Sequence, residues 1–254
     1  MLEQASRWTA LSASVCGESH RRAGRANDDA LEYLVKSDGT LIAAIADGAG
    51  SATHSRFGSR TAVVTACDLA DRLLDDAPIG DSSAAVRFFD RLLPAIRNRL
   101  ESLSFELGLD LSELATTLCV CIAGSHGTAL VQIGDGGIVL QHPTGKCLMP
   151  IWPHDSEYLN ETRFLTSADF AEAARVRFFR YLPTAIALLT DGLEPIAVEY
   201  AQRTVFGPFF QRMFRFAVEA GASPESLETF LGSARVAERT DDDRTLFLAV
   251  RSGL

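Results

Sequence analysis

Residues 41–55 read LIAAIADGAGSATHS, and the rest of the chain is organised around this stretch. Its apolar part, residues 41–46, stops at an acidic residue and a glycine, Asp47 and Gly48. A short apolar run bounded by a turn signal is typical of a buried strand, so the pattern predicts a carboxylate at the end of a strand. Gly48 allows a tight turn there and leaves its carbonyl open to a ligand. For a single Asp-Gly pair, an ordinary turn between strands is the commoner interpretation.

The same kind of pattern recurs along the chain. One apolar run leads into Gly-Asp-Gly at 134–136 and another into Thr-Asp-Gly at 190–192. Acidic clusters also stand near both ends, at 27–29 and 241–243. Hard divalent cations take oxygen ligands from carboxylates and carbonyls, so the repeated acids favour a metal site. The alternative is a set of separate solvent-exposed turns, because spacing alone does not show that the positions meet.

The composition restricts the class of protein. The 254 residues are 47% hydrophobic, which is enough for a sizeable core in one large domain or two small ones. A net charge of −9 disfavours broad contact with nucleic acid phosphates, and with it a nuclease function. No apolar run approaches the length of a membrane span, and the N-terminus lacks the pattern of a signal peptide, so we expect a cytoplasmic protein. The 5 cysteines are expected to be core thiols, because an odd number without a secretion signal argues against a disulfide framework.

Hydrophobic periodicity predicts the main elements. A hairpin is expected from strands at 30–35 and 41–46, and two long amphipathic helices at 57–74 and 83–107. Pro94 should kink or split the second helix. Hairpins mixed with helices favour antiparallel sheets with helices packed outside them over regular βαβ winding. Further strands are expected at 8–16, 114–123, 129–140 and 245–250, with bends at 124–127 and 134–137, and further helices at 209–220 and 224–236.

Five segments, taken in order, resemble the motifs of the metal-dependent protein phosphatases of type 2C. They read SHRRAGRANDDA, ADGAGSA, IGDGG, TDGLEP and DDDRTLFLAV, and the resemblance covers about residues 13–250. It is closest to a bacterial branch with Ser-His in the first motif. The resemblance implies an α+β fold, a four-layer α-β-β-α sandwich of two stacked antiparallel sheets flanked by helices. Residues 1–254 would form a single domain, with an irregular flap at about 143–185 beside the active site.

The resemblance also implies a reaction. It is the hydrolysis of phosphoserine or phosphothreonine on a protein substrate by a metal-activated water, in a bacterial signalling pathway. Two Mn²⁺ or Mg²⁺ ions, or three, would serve as cofactors. Asp47 would bridge two ions, and Asp29 would hold the attacking water. The implied partners are a phosphoprotein substrate and an opposing protein kinase, with no nucleic acid and no membrane, and the sequence predicts no oligomeric state.

The remaining metal ligands follow from the same resemblance. Asp191 and Asp242 would complete the protein ligands of the first ion, and the Gly48 carbonyl would assist one metal. Asp28 takes the acidic position of the second ion. Asp135, together with Asp191, would hold a third and looser ion.

The group that holds the substrate phosphate is less clearly indicated. Many relatives carry an arginine three residues before the Asn of the first motif, where this chain has Gly24. On the polar stretch 17–27, which predicts a loop, Arg21 or Arg22 is the expected clamp, because a planar two-pronged cation complements a phosphate. His20 is expected to order this loop or to contact the phosphate secondarily. The next candidates are Arg25 and Arg163.

The chain also departs from the family pattern. Asp28 stands where many relatives have Glu or Gln, and Asp243 where Asn is common. Ala49 follows the central Asp-Gly, where some relatives have a histidine that serves as general acid, so protonation would fall to a metal-bound water or to His54. These departures leave a second hypothesis, a catalytically weak or inactive relative that binds a phosphoprotein.

Overall fold

The computed structural model describes residues 7–152 and 162–252. Most strands in this part of the chain form two antiparallel sheets of five strands each. The strands are β1 (Arg7–Val15), β2 (Ala30–Val35), β3 (Leu41–Ala46), β4 (Leu118–Gly124), β5 (Gly127–Ile133), β6 (Gly137–Gln141), β7 (Cys147–Leu148), β8 (Arg175–Phe179), β9 (Ala185–Leu189), β10 (Val198–Glu199), β11 (Thr204–Val205) and β12 (Arg244–Ser252). One sheet has the order β1-β12-β9-β6-β7 and is called the β1 sheet below. The other has the order β2-β3-β4-β5-β8 and is called the β3 sheet, while β10 and β11 pair separately.

Helices cover the outer face of each sheet. They are α1 (Glu18–Arg22), α2 (Ser55–Asp76), α3 (Ser82–Leu107), α4 (Phe170–Ala173), α5 (Glu194–Ala197), α6 (Gly207–Phe216), α7 (Pro224–Leu231) and α8 (Ala234–Ala237). Short 3₁₀ helices lie at Leu111–Leu114, Asp191–Leu193 and Tyr200–Gln202. Helices α2 and α3 pack on the β3 sheet, and α6 and α7 pack on the β1 sheet. The predicted four-layer α-β-β-α sandwich is therefore confirmed.

Strand β3 shows why the central apolar run forms a strand with two buried faces. Side chains alternate in direction along a strand, so Ile42 and Ala44 meet the helices while Ala43 and Ile45 meet the other sheet. All six residues of β3 are buried. The strand pairs antiparallel with β2 and β4, and the predicted hairpin of residues 30–46 is confirmed.

The two long helices lie close to their predicted bounds. The Asp81 carboxylate accepts a hydrogen bond of 2.7 Å from the Ala84 amide and caps α3 at its first turn. Pro94 does not split this helix, which continues unbroken from Ser82 to Leu107. Pro94 is exposed, so the carbonyl that loses its helical partner faces solvent and can be hydrated.

Other predictions need correction. The stretch 17–27 predicted as a loop contains helix α1. The stretch predicted as strand at 129–140, with a bend at 134–137, is interrupted at that bend, and its two strands belong to different sheets, β5 to the β3 sheet and β6 to the β1 sheet. The helix predicted at 224–236 is divided into α7 and α8. The helix predicted at 209–220 overlaps α6, and the strand predicted at 245–250 lies within β12.

The predicted flap region, about residues 143–185, contains β7, α4 and β8, and its residues 153–161 lie outside the described part of the chain. Strand β8 pairs with β5 at the edge of the β3 sheet. The five cysteines are free thiols, and Cys119 and Cys121 are buried between the sheets, as the alternation along β4 predicts. Within the described ranges, we find no helix with the length and apolar character needed to cross a membrane.

Candidate functional site

A cleft of about 450 Å³ lies where strands from both sheets end. Asp47 follows β3 of the β3 sheet, whereas Asp191 follows β9 and Asp242 precedes β12 of the β1 sheet. Antiparallel pairing of β9 with β12 brings the end of one strand beside the start of the other. The cleft is lined by acidic side chains and by two basic ones, His20 and Arg25.

Three of the predicted acids converge in this cleft. Asp47, Asp135 and Asp191 each present a carboxylate oxygen, and these oxygens all lie within 4.8 Å of one another. Asp47 is fixed by its backbone, because its N–H donates to the Thr117 hydroxyl at 2.9 Å and its carbonyl accepts from the Thr117 amide at 2.9 Å. The Thr116 hydroxyl donates to the same carbonyl at 2.9 Å.

Position 48 has no room for a side chain, so glycine is required there. A Cβ atom there would lie 2.8 Å from the Ser55 Cβ and 2.9 Å from the Asp28 carbonyl oxygen. The Gly48 amide donates to that same carbonyl at 3.2 Å, so the segment after β3 is held against the segment before β2. Gly48 also lines the cleft.

Asp135 lies on the crossing between the two sheets. Its neighbours Gly134 and Gly136 have φ values of 86° and 76°, which other residues rarely adopt. The Gly136 amide donates to the buried Glu194 carboxylate at 3.1 Å, and this carboxylate also accepts from the Tyr200 hydroxyl. Sequence reasoning missed Glu194, although it stands inside the segment TDGLEP that carried the resemblance. Its burial raises the pKa of Glu194 to about 7.

The carboxyl groups of the cleft have raised pKa values. Burial raises the pKa of Asp47 well above its ordinary value, and the charges of Asp29, Asp191 and Asp135 add to the effect. Burial likewise raises the pKa of Asp191 to about 7, with further contributions from Asp135 and Asp242. Carboxylates that repel one another in a partly buried cleft favour the binding of a counter-charge, and their oxygens are the ligands that Mg²⁺ and Mn²⁺ prefer. The donor set therefore fits a hard divalent cation.

Asp29 lies next to this group and is buried. Its Oδ2 atom accepts hydrogen bonds from the Thr190 hydroxyl at 2.8 Å and the Thr245 hydroxyl at 2.7 Å. Its Oδ1 atom is also buried and has no hydrogen-bond partner in the described part of the chain. Desolvation raises the pKa of Asp29 to about 8. A buried oxygen without a partner beside Asp47 is available to a water molecule or a cation.

The other predicted ligands are placed differently. Asp242 lines the cleft but is not part of the group of three converging acids. Asp28 is buried and its Oδ2 atom accepts from the Arg25 guanidinium at 2.7 Å. Asp28 is therefore neutralised by a cationic side chain and does not line the cleft.

The basic residues near the N-terminus separate into two groups. Arg21 pairs with Glu18 at 2.7 Å and Arg22 pairs with Asp241 at 3.3 Å, and neither arginine lines the cleft. Arg25 does line the cleft, and its Nη1 atom donates to the Gly50 carbonyl at 2.8 Å. The assignment of the phosphate to Arg21 or Arg22 stays a prediction, and the geometry favours Arg25.

Comparisons with known proteins show the family of this chain. A sequence model of the family described as Protein phosphatase 2C matches residues 16–232. The serine/threonine-protein phosphatase 3 of Escherichia coli (strain K12) is 32% identical over 254 residues, covering 96% of this chain and 98% of that protein. The chain therefore belongs to the protein phosphatase 2C family.

Solved structures show the same fold at lower sequence identity. One is the catalytic domain of the serine threonine protein phosphatase PstP in complex with 2 manganese ions, at a TM-score of 0.64 and 18% identity. The match covers 98% of this chain and 100% of that chain. Another is the serine/threonine phosphatase Stp1 from Staphylococcus aureus, at a TM-score of 0.65 and 14% identity, with 100% of this chain and 98% of that chain covered.

Proposed function

We propose that this chain is a metal-dependent serine/threonine protein phosphatase that hydrolyses phosphoserine and phosphothreonine on protein substrates. The observation that carries the proposal is the convergence of Asp47, Asp135 and Asp191 in one cleft. The family membership and the name of the E. coli relative support the same activity. No comparison supports the alternative of an inactive phosphoprotein-binding relative.

The converging acids are the groups that would hold the cofactor, Mn²⁺ or Mg²⁺. Asp242 and Gly48 line the same cleft, and the Asp242 carboxylate and the Gly48 carbonyl can complete the ligand set. A divalent cation held there would neutralise charge on the phosphoryl oxygens and activate the attacking water. The buried Oδ1 atom of Asp29 can accept a hydrogen bond from that water and orient it. For two ions, or three, Asp28 would have to exchange its ion pair with Arg25 for a cation.

Arg25 is our candidate for the group that holds the substrate phosphate. It is the arginine of the first motif that faces the cleft, and its Nη1 and Nη2 contacts to Gly50 and Asp28 hold the guanidinium plane in place. A fixed planar cation suits the recognition of a phosphate, because less side-chain freedom is lost when it binds. Arg21 and Arg22 remain secondary candidates, since their ion partners are exposed and can be exchanged.

The wider setting is also a proposal. We propose that residues 1–254 form one domain, and that the flap at 143–185 borders the active site. Thr162 and Phe164 of this region line the cleft, and the Thr162 hydroxyl donates to the Asp135 carboxylate at 2.8 Å. We expect a phosphoprotein substrate and an opposing protein kinase, in a cytoplasmic signalling pathway.

Turnover of p-nitrophenyl phosphate and of a phosphoserine peptide tests the activity directly. The protein should be inactive in EDTA and should gain activity when Mn²⁺ or Mg²⁺ is added in excess. Clear turnover by metal-free protein would contradict metal dependence. Tight binding of the phosphopeptide without turnover under any divalent ion would instead support the binding function.

A further inference from the structure

A second cluster of side chains lies on the His20 side of the cleft. Cys16, His20 and Asp243 present atoms that all lie within 4.8 Å of one another. Asp243 is only 2% exposed. Its Oδ1 atom accepts from the Gly17 amide at 2.6 Å, and its Oδ2 atom accepts from the Asp28 amide at 2.6 Å. Two backbone donors from different segments therefore fix the plane of this carboxyl group.

The contact between Asp243 and His20 defines the state of the imidazole ring. The Nδ1 atom of His20 lies 2.8 Å from the Asp243 Oδ2 atom. Both oxygens of Asp243 accept from backbone amides, and an ionised carboxylate can only accept, so Nδ1 is the donor in this contact. The Nε2 atom is then the ring nitrogen that can contact a substrate. It has no hydrogen-bond partner in the described part of the chain. A carboxylate that fixes the tautomer and orientation of a histidine is a recurrent arrangement in proton transfer.

His20 is the one histidine among the described residues that line the cleft. Its side chain is only 12% exposed, so the ring is held at the wall of the cleft. The carboxylates there are committed to cation binding in our proposal, and arginine does not release its proton at neutral pH. His54 lies outside the cleft lining, where its ring stacks on Phe57. Among the described side chains, His20 is thus the best available proton donor.

We propose that His20 is the general acid that protonates the leaving serine or threonine oxygen, and that Asp243 is its positioning residue. The inference rests on the proposed phosphatase function. Water adds OH to phosphorus and loses its other proton to solvent, while the P–O bond to the side chain breaks and its electron pair goes to the leaving oxygen. That oxygen takes the proton of Nε2. His20 is left neutral with its Nδ1 proton still donated to Asp243, and solvent returns a proton to Nε2.

The leaving group provides the test, because an alkoxide needs this proton much more than p-nitrophenolate does. In a His20→Asn variant, the Asn amide can still donate to Asp243 but cannot act as an acid. The ratio of kcat/KM for a phosphoserine peptide to kcat/KM for p-nitrophenyl phosphate should fall about 10²- to 10⁴-fold from wild type, the usual size of a general-acid contribution. A His54→Asn variant, the matched control, should keep a ratio close to wild type.

The outcomes separate the two proposals. If His20→Asn lowers turnover of both substrates by the same factor, or lowers neither, His20 is not the general acid, and the phosphatase proposal stands. A fall of the ratio in His54→Asn would likewise overturn the assignment. If wild-type protein turns over neither substrate with Mn²⁺ or Mg²⁺, the phosphatase proposal itself fails.

A measurement on the metal-free protein checks the geometry without activity. Long-range ¹H–¹⁵N spectra of protein labelled at histidine should show the neutral His20 ring with its proton on Nδ1, and comparison with His20→Asn assigns that signal among the 5 histidines. The Asp243→Asn variant should lose the preference for the Nδ1 tautomer. An Nε2-protonated His20 in wild type would refute the positioning by Asp243.

Discussion

Replacing Asp191 with Asn should raise the free energy of unfolding of the metal-free protein at pH 8. Burial and the charges of Asp135 and Asp242 raise the pKa of Asp191 from 3.8 to about 7 in the folded state. The folded protein then holds a proton that the unfolded chain releases near pH 4, so stability falls as the pH rises from about 4 to about 7. Roughly three pH units at about 1.4 kcal/mol each give a penalty of up to about 4 kcal/mol above pH 7.

Asn has the shape of the neutral acid without its charge, so the variant should recover most of this penalty. For a chain of this length, about 4 kcal/mol corresponds to a rise in Tm of roughly 10 °C. Calorimetry in EDTA at pH 5 and at pH 8 measures the effect. The wild-type Tm should be lower at pH 8 than at pH 5, and the Tm of the variant should decrease less between the two pH values. Saturating Mn²⁺ should stabilise wild type more than the variant.

The control is Asp90→Asn, which removes an exposed carboxylate on α3 and should leave both Tm values close to wild type. A variant that is no more stable than wild type in EDTA at pH 8 would refute the reasoning. It would mean that burial and the charges of Asp135 and Asp242 do not disfavour the ionised form of Asp191 in the metal-free protein.

Two further substitutions test the assignments within the cleft. Asp47→Asn should lower kcat by at least about 100-fold, because it removes the carboxylate that we propose as a metal ligand and with it several kcal/mol of charge stabilisation by the cation, while circular dichroism should show a folded protein. Near-normal rates would exclude Asp47 as a metal ligand. Arg25→Ala should lower kcat/KM for a phosphopeptide by about 10- to 100-fold, the 1.5–3 kcal/mol of a charge-assisted hydrogen bond, and Arg21→Ala should lower it less. A larger loss of kcat/KM in Arg21→Ala than in Arg25→Ala would instead support the sequence-based assignment of the clamp to Arg21 or Arg22.

The elements with strong periodicity were predictable from the sequence. Strand β3 and helix α3 each bury a regular set of side chains, and such patterns identify an element without reference to its neighbours. The change of sheet at 134–136 was not predictable in this way. Strands β5 and β6 have the same apolar character, and their membership of different sheets depends on pairing partners that are distant in sequence.

The acidic positions of the site were also recognisable, because each follows or precedes a strand. A candidate for the phosphate clamp was harder to select from the sequence, since which arginine faces the cleft depends on local structure. Helix α1 places Glu18 and Arg21 three residues apart on one helical face, where they form an ion pair, and a predicted loop gave no reason to expect this. The contact of His20 with Asp243 joins residues 223 positions apart, and the sequence carries no signal for such a pairing.

The three converging acids come from different parts of the two-sheet sandwich, which relates the geometry of the cleft to the packing of the sheets. Asp47 extends from the β3 sheet, Asp191 extends from the β1 sheet, and Asp135 lies on the crossing between them. The two sheets that carry Asp47 and Asp191 are packed against each other through a layer of apolar side chains, which includes Ile45 and Phe247. Repulsion among the acids acts to separate the sheets at this edge, and a bound cation would oppose it. Cation binding would then be coupled to the packing of the two sheets, so we expect a substitution in the apolar layer to weaken Mn²⁺ affinity, measured by calorimetric titration, even though it lies outside the cleft.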